Sequence, residues 1–242
     1  MLFVPVVDKN GKPLMPCHPA DETEKQVVSK HRVTNHGEVF TRKREVNAML
    51  DLVRQETERI ESRFLEPACG VGNFLAEILN RKLRVVKERY RKSQLEFERN
   101  AVLAVSSIYG IDILQDNVKE CRKRLFDIFD WIYSSLYKKA AKDECQNAVK
   151  YILKRNIIWG DALTRKTVGD DPQPIVFSEW SPVNGSMLKR RDFTFYSLLQ
   201  HDSMKEPSVF SDLGEDVFIP TPAKEYPLIR FLEILNFEQA EL

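Results

Sequence analysis

Apolar and polar positions along this chain follow two rhythms, and the order in which they occur predicts its elements. Val46, Leu50 and Val53 fall at i, i+4 and i+7 with Met49 alongside, which predicts an amphipathic helix over 42–60. SRFLEP at 62–67 reads as a short apolar strand that runs into the small-residue turn ACGVGN, and FLAEILNRKL then opens a helix. Residues 82–104 continue as a charged helical region, and SSIYGIDI at 106–113 is a second strand. Val118, Cys121, Leu125, Phe129, Ile132 and Leu136 mark one face of a helix over 116–140. NIIWGD at 156–161 is a third strand and PIVFSEW at 174–180 a fourth. Strands alternating with helices predict an α/β fold built on a parallel sheet with right-handed crossovers.

The two ends of the chain read differently. Residues 1–20 hold an apolar strand, a turn at Asn10 and Gly11, and then Pro13, Pro16 and Pro19, the pattern of a hairpin-like arm. After Trp180 come a polar segment, the proline-rich FIPTPAKEYP and a closing helix LIRFLEILNF. The expected division is an arm at 1–20, a ligand-binding domain at 21–180 and an extension at 181–242.

Composition narrows the classes. With 43% hydrophobic and 30% charged residues in 242, the chain is globular rather than fibrous or disordered. Its 37 basic and 36 acidic residues give a net charge of +1, so binding of nucleic acid has to come from a local patch. No apolar run approaches the roughly 20 residues of a membrane span, and the start lacks the layout of a signal peptide, so a cytoplasmic protein is expected, with no membrane partner. Cys17, Cys69, Cys121 and Cys145 form no CxxC pair, and His18, His31, His36 and His201 are scattered, which predicts reduced thiols and no metal site.

Chemistry is expected where the strands end. In a parallel sheet, ligands sit beyond the carboxyl ends of the strands. Gly70 and Gly72 follow the first strand, where glycine allows both close backbone approach to a ligand and positive φ; a turn serving the helix entry alone is the other reading. Glu66 brings a carboxylate to the same place. Asp112 ends the second strand, as a ribose acceptor or as a cap for the helix starting near Gln115. Asp161 ends the third, as an acceptor for an exocyclic amine or as a turn aspartate, with Ala162 and Leu163 placed to wall an adenine ring. Three acids at successive strand ends point to an adenosine-containing ligand.

Over residues 31–180 the chain resembles the adenine-N6 DNA methyltransferases of restriction and modification systems. FLEPACGVGNF looks like their first cofactor motif, YGIDI their second, GDAL their third, and HGEVFTRKREVNAML the segment that precedes the first. The resemblance implies a Rossmann-like half-sheet in the order 3-2-1-4 with helices on both faces, S-adenosylmethionine as cofactor, and double-stranded DNA with an adenine target as partner. It also implies roles: Thr41 at the methionine carboxylate, Glu66 facing the methionine part, Gly70 and Gly72 at the close approach, Asp112 with Ile113 at the ribose, Asp161 with Ala162 at the adenine. Arg42 stands where the family has proline after the threonine.

The family's catalytic string, asparagine or aspartate followed by two prolines and an aromatic, is absent. In its place after the fourth strand, Glu179 and Ser181 are the candidate acceptors and Trp180 the candidate stacking face, the alternative for Trp180 being simple packing under the loop. About sixty further residues are too few for the remaining strands and a target-recognition domain, so a partner subunit carrying that half is expected. A non-catalytic cofactor-binding or regulatory subunit, and a methyltransferase for RNA or a small molecule, stay open. Two basic clusters are candidates for phosphate contact or solvated surface: seven Lys and Arg within 81–92, and Lys189, Arg190 and Arg191. Residues 1–20 separately resemble the N-terminus of RNA-guided nucleases of the RRXRR type, without the arginine-rich run that follows there.

Overall fold

The computed structural model describes residues 32–34, 39–199 and 220–236. The arm at 1–20 and residues 36–38 of the pre-motif segment therefore lie outside the described residues. Residues 32–34 are helical, and after them come α1 (Lys43–Asp51) and α2 (Arg54–Glu58), separated at Leu52 and Val53, where one continuous helix was expected. Strand β1 (Phe64–Glu66) follows, then α3 (Asn73–Tyr90), α4 (Gln94–Ser106), β2 (Ile108–Asp112), α5 (Gln115–Tyr137), α6 (Asp143–Asn156), β3 (Ile157–Asp161) and the short β4 (Lys166–Thr167). The charged helical region is interrupted because Ser93 caps a new helix: its hydroxyl accepts the Glu96 N–H at 3.4 Å.

The molecule is a mixed α/β structure with two sheets. In the first, β1, β2 and β3 are parallel neighbours in that order, and β4 pairs antiparallel with β3. The second is antiparallel: β5 (Val176–Pro182) and β6 (Met187–Thr194) form a hairpin, with β7 (Lys224–Glu225) and β8 (Ile229–Arg230) both on β6. The strand expected to lie fourth, beside β1, is thus not there; it is β5 of the second sheet. The boundary drawn between residues 180 and 181 falls inside that strand. The expected closing helix is instead β8 followed by a 3₁₀ turn at Phe231–Glu233.

The distribution of helices also differs from expectation, for a topological reason. Each step from β1 to β2 to β3 moves the same way across the sheet, and crossovers of one hand taken in one direction return on one face. Accordingly α3, α4, α5 and α6 pack on one another and share one large core with Ile108 and Ile157. On the opposite face, Tyr109 and Ile111 are covered by Ile175, Phe177 of β5 and Phe195 of the short α7 (Phe195–Leu199). That face is sealed by an antiparallel sheet and one helical turn rather than by crossover helices. Tyr109 meets Phe177 edge-on, with ring centroids 5.4 Å apart.

Two buried cations brace the helical layer. Arg81 pairs with Asp51 and Glu77, each at 2.9 Å, tying α1 to α3. Lys82 is fully buried and donates to Ile60 O at 3.1 Å, to Ser62 O and to Ser107 Oγ, so one ammonium joins the chain entering β1 to the end of α4. Burial pushes its pKa down to about 7.

Candidate functional site

Partner residues in a parallel ladder send their side chains to the same face. Glu66 is level with Gly110, and Asp112 with Trp159. Since alternate residues share a face, Glu66, Asp112 and Asp161 all lie on one side of the sheet at its carboxyl edge. Each is two residues further out than the last, a stagger of about 6 to 7 Å. This is the side of the helices, since a Cβ on Gly110 would sit 3.0 Å from Cys69 Sγ and from Leu75 Cδ1.

The turn after β1 needs its glycines. Gly70 and Gly72 have φ of +53° and +81°, the left-handed region that side chains avoid. A Cβ on Gly72 would fall 2.6 Å from Cys121 Sγ. Segment 39–42 closes over this turn: the Phe40 ring is 3.4 Å from where a Cβ on Gly70 would be, and the Thr41 carbonyl accepts from Asn73 Nδ2 at 3.0 Å. Thr41 therefore sits beside the start of α3. Arg124 from α5 donates to the Asn73 side chain at 2.6 Å, fixing the same corner from the other side.

Asp112 is the hinge of this edge. It is 8% exposed, its Oδ2 accepts the Gly70 N–H at 2.8 Å, and its Oδ1 accepts the Leu114 N–H at 2.8 Å and Asn117 Nδ2 at 3.2 Å. The carboxylate thus ties the glycine turn to the second strand. Three of its roughly four acceptor positions are used inside the protein. One acceptor position is left beyond these three.

Glu66 is different. It is half-buried and has no hydrogen-bond partner among the described residues, and burial holds its carboxyl above the usual range. Asp161 accepts the Leu163 N–H at 2.9 Å, closing a tight turn. Ile113 is 46% exposed and Leu163 91% exposed. Two apolar side chains therefore stand out beside the two acids at the strand ends. Ala162 does not join them; it packs toward the second sheet with Ile158. Trp159 Nε1 donates to the Ile113 carbonyl at 2.9 Å and so bridges the ends of β2 and β3.

Glu179, Trp180 and Ser181 lie elsewhere. Starting from Ile175, whose Cδ1 is 2.7 Å from where a Cβ on Gly160 would be, β5 crosses the sheet face past Tyr109 and reaches the amino ends of the strands. There Glu179 pairs with Arg63, just before β1, and with Arg191 at 2.7 Å. Trp180 is 4% exposed, donates to Asn156 Oδ1 at 3.3 Å just before β3, and meets Tyr151 edge-on. Ser181 sits opposite Lys189 in the hairpin. None of the three is brought to the carboxyl edge, and Trp180 has no open face for a base.

The second basic cluster is likewise consumed, and the first only in part. Lys189 pairs with Glu225 at 2.9 Å, Arg191 with Glu179, and Arg190 is fully buried against Asp192, Tyr151 and the Tyr226 ring. In the earlier run, Arg81 and Lys82 are buried braces, whereas Arg84, Arg89, Arg91 and Lys92 are exposed. Asn73, Asn117 and Trp159 are site residues that sequence reasoning passed over. Asn73 was legible as the residue after the second glycine, whereas the amide of Asn117 acquires its role only by folding back onto Asp112.

Among the described residues no group of three His, Cys, Asp or Glu side chains is arranged to hold a metal, and Cys69, Cys121 and Cys145 are free and buried. No described helix is long and apolar enough to cross a membrane. Searches of family models, curated proteins and solved structures find no match to this chain.

Proposed function

We propose that the chain is the cofactor-binding part of an S-adenosylmethionine-dependent adenine-N6 DNA methyltransferase, of Rossmann-like type. The observation that carries this reading is the carboxyl edge: three acids staggered on one face, beside a turn with two positive-φ glycines. In this reading Gly70 and Gly72 admit the donor, and Asp112 holds their turn rigid while its remaining lone pair accepts one ribose hydroxyl. Ile113 and Leu163 flank the adenine ring, and Asp161 accepts its amine. Glu66, unpaired and reluctant to ionise in isolation, gains a partner when the cationic methionine end arrives, and its carboxylate is then stabilised. Thr41 stands by the same end. The donor supplies an activated methyl group on sulfur; the chain's own residues bind and orient it.

The acceptor loop is assigned to a partner subunit. Glu179 and Trp180 are engaged in the core at the other end of the strands, and β1 has no strand on its outer side among the described residues. A second reading, a regulatory subunit that binds the donor without transferring its methyl group, is favoured by the same engagement of residues 179–181. Thermal shift with S-adenosylhomocysteine tests both, since a ligand that binds only the folded state raises Tm; an unchanged Tm at high ligand concentration overturns them. Transfer of labelled methyl to duplex DNA in the presence of the neighbouring gene product separates the enzyme component from the regulatory subunit.

A further inference from the structure

With Lys189, Arg190 and Arg191 neutralised, cations that are not spent on acids have to be sought elsewhere. One such pair lies on the turn after β3, beside an exposed aromatic ring. Arg165 places its guanidinium 4.9 Å from the centre of the Tyr196 ring and makes no ion pair among the described residues, and Lys166 beside it is exposed and also makes none among them. Tyr196 is 48% exposed, and Leu199, one helical turn further along α7, is 54% exposed. Arg165 holds φ of +60°, a conformation that side chains other than glycine rarely keep, in the turn that begins at Asp161. The strained residue is therefore the one that carries the charge onto the aromatic ring. The acidic pair Asp170 and Asp171 lies in the loop beyond the far end of β4.

We infer that Arg165, Lys166, Tyr196 and Leu199 form a docking surface for an unpaired strand of nucleic acid. An exposed ring with an adjacent apolar side chain offers a stacking surface that suits any base, and two cations without acidic partners among the described residues offer contacts to the phosphates on either side of it. A duplex hides the faces of its bases and an acidic peptide has none to stack, so a single strand fits this combination best. The surface adjoins the turn of Asp161, and, resting on the reading above, it deepens it by naming where an unpaired stretch of the nucleic-acid substrate lies next to the donor.

The test is fluorescence anisotropy with a short labelled single-stranded oligodeoxynucleotide. Tyr196→Ala is expected to weaken binding about 5- to 100-fold, while Tyr196→Phe retains it. Arg165→Gly removes the guanidinium and suits the backbone angle, so the fold is kept; it is expected to weaken binding and to reduce the slope of log affinity against log salt by about 0.7. Affinity for S-adenosylhomocysteine, measured by calorimetry, is expected to be unchanged in all three variants. Wild-type affinity in Tyr196→Ala, displacement of the oligonucleotide by polyglutamate at equal charge, or no binding by the wild-type protein overturns the proposal. Loss of homocysteine-ligand binding with intact oligonucleotide binding overturns the cofactor reading and leaves this one standing.

Discussion

The two ends of the parallel strands both hold acids and aromatics but use them in opposite ways. At the amino end, Arg190 is enclosed by Asp192, Ser178, Tyr151 and Tyr226, Glu179 lies between Arg63 and Arg191, and the Trp180 indole is hydrogen-bonded. At the carboxyl end, Glu66 lacks a hydrogen-bond partner among the described residues, Ile113 and Leu163 protrude, and Gly70 and Gly72 are held in left-handed conformations. A charge saturated by its neighbours stabilises the fold and has little left to offer a ligand. An unsaturated one destabilises the free protein slightly and is repaid on binding. The contrast explains why residue type alone did not show that Glu179 and Trp180 are engaged at the amino end.

The sharpest way to break the comparison is at the saturated end. Arg190→Ala leaves Asp192 buried without its cation, and loss of one partner from a buried pair costs about 3 to 5 kcal/mol. A large fall in the denaturation midpoint is expected; a fall of a degree or two would mean that the network is not structural. Gly72→Ala at the other end combines backbone strain with a 2.6 Å approach to Cys121 Sγ. About 1 to 3 kcal/mol of stability should be lost, together with binding of S-adenosylhomocysteine. Asp112→Ala releases three donors at once and should cost about 1 to 3 kcal/mol in urea titration while weakening the ligand. A stable variant with intact ligand affinity would remove Asp112 from both roles.

Smaller effects sharpen the picture. Lys82 has a folded pKa of about 7 against 10.5 for the free side chain, so above pH 7 the unfolded chain carries a proton that the folded one has released. Stability should therefore rise with pH from about 7 to 8.5, and Lys82→Met should flatten that slope in melting experiments. At higher pH the sign reverses, because burial keeps Cys145 and Tyr109 protonated in the folded state while the unfolded chain ionises them. Least affected is Glu66→Gln. Stability should change by less than about 0.5 kcal/mol or improve slightly, since a poorly solvated unpaired carboxylate is removed, whereas ligand affinity should fall. Calorimetry showing the reverse pattern would place Glu66 with the structural residues.

Much of the scaffold was legible in advance where periodicity was strong. The strands ending at Glu66, Asp112 and Asp161 and the helix over 115–137 were visible from their apolar spacing. Helix α6 was passed over although Cys145, Ala148, Val149 and Ile152 keep helical spacing. Strand β6 was read as a polar segment for a firmer reason. Its buried positions include Arg190 and Asp192, so the alternation is carried by charges that bury only because they meet each other. At the site, the glycines and acids could be picked out from their positions at strand ends, but the hydrogen bond from Gly70 to Asp112 spans 42 residues of sequence.

What the sequence determined by itself is the set of local choices: which segments become strands or helices, and that small residues and acids fall at the strand ends, because these depend on spacing and on backbone sterics. Tertiary structure alone decided which charges are left over. Whether Glu179, Arg190 or Glu66 is saturated depends on partners brought from distant segments, and that pairing is set by how β5 crosses the sheet, a long-range packing outcome that no local window contains.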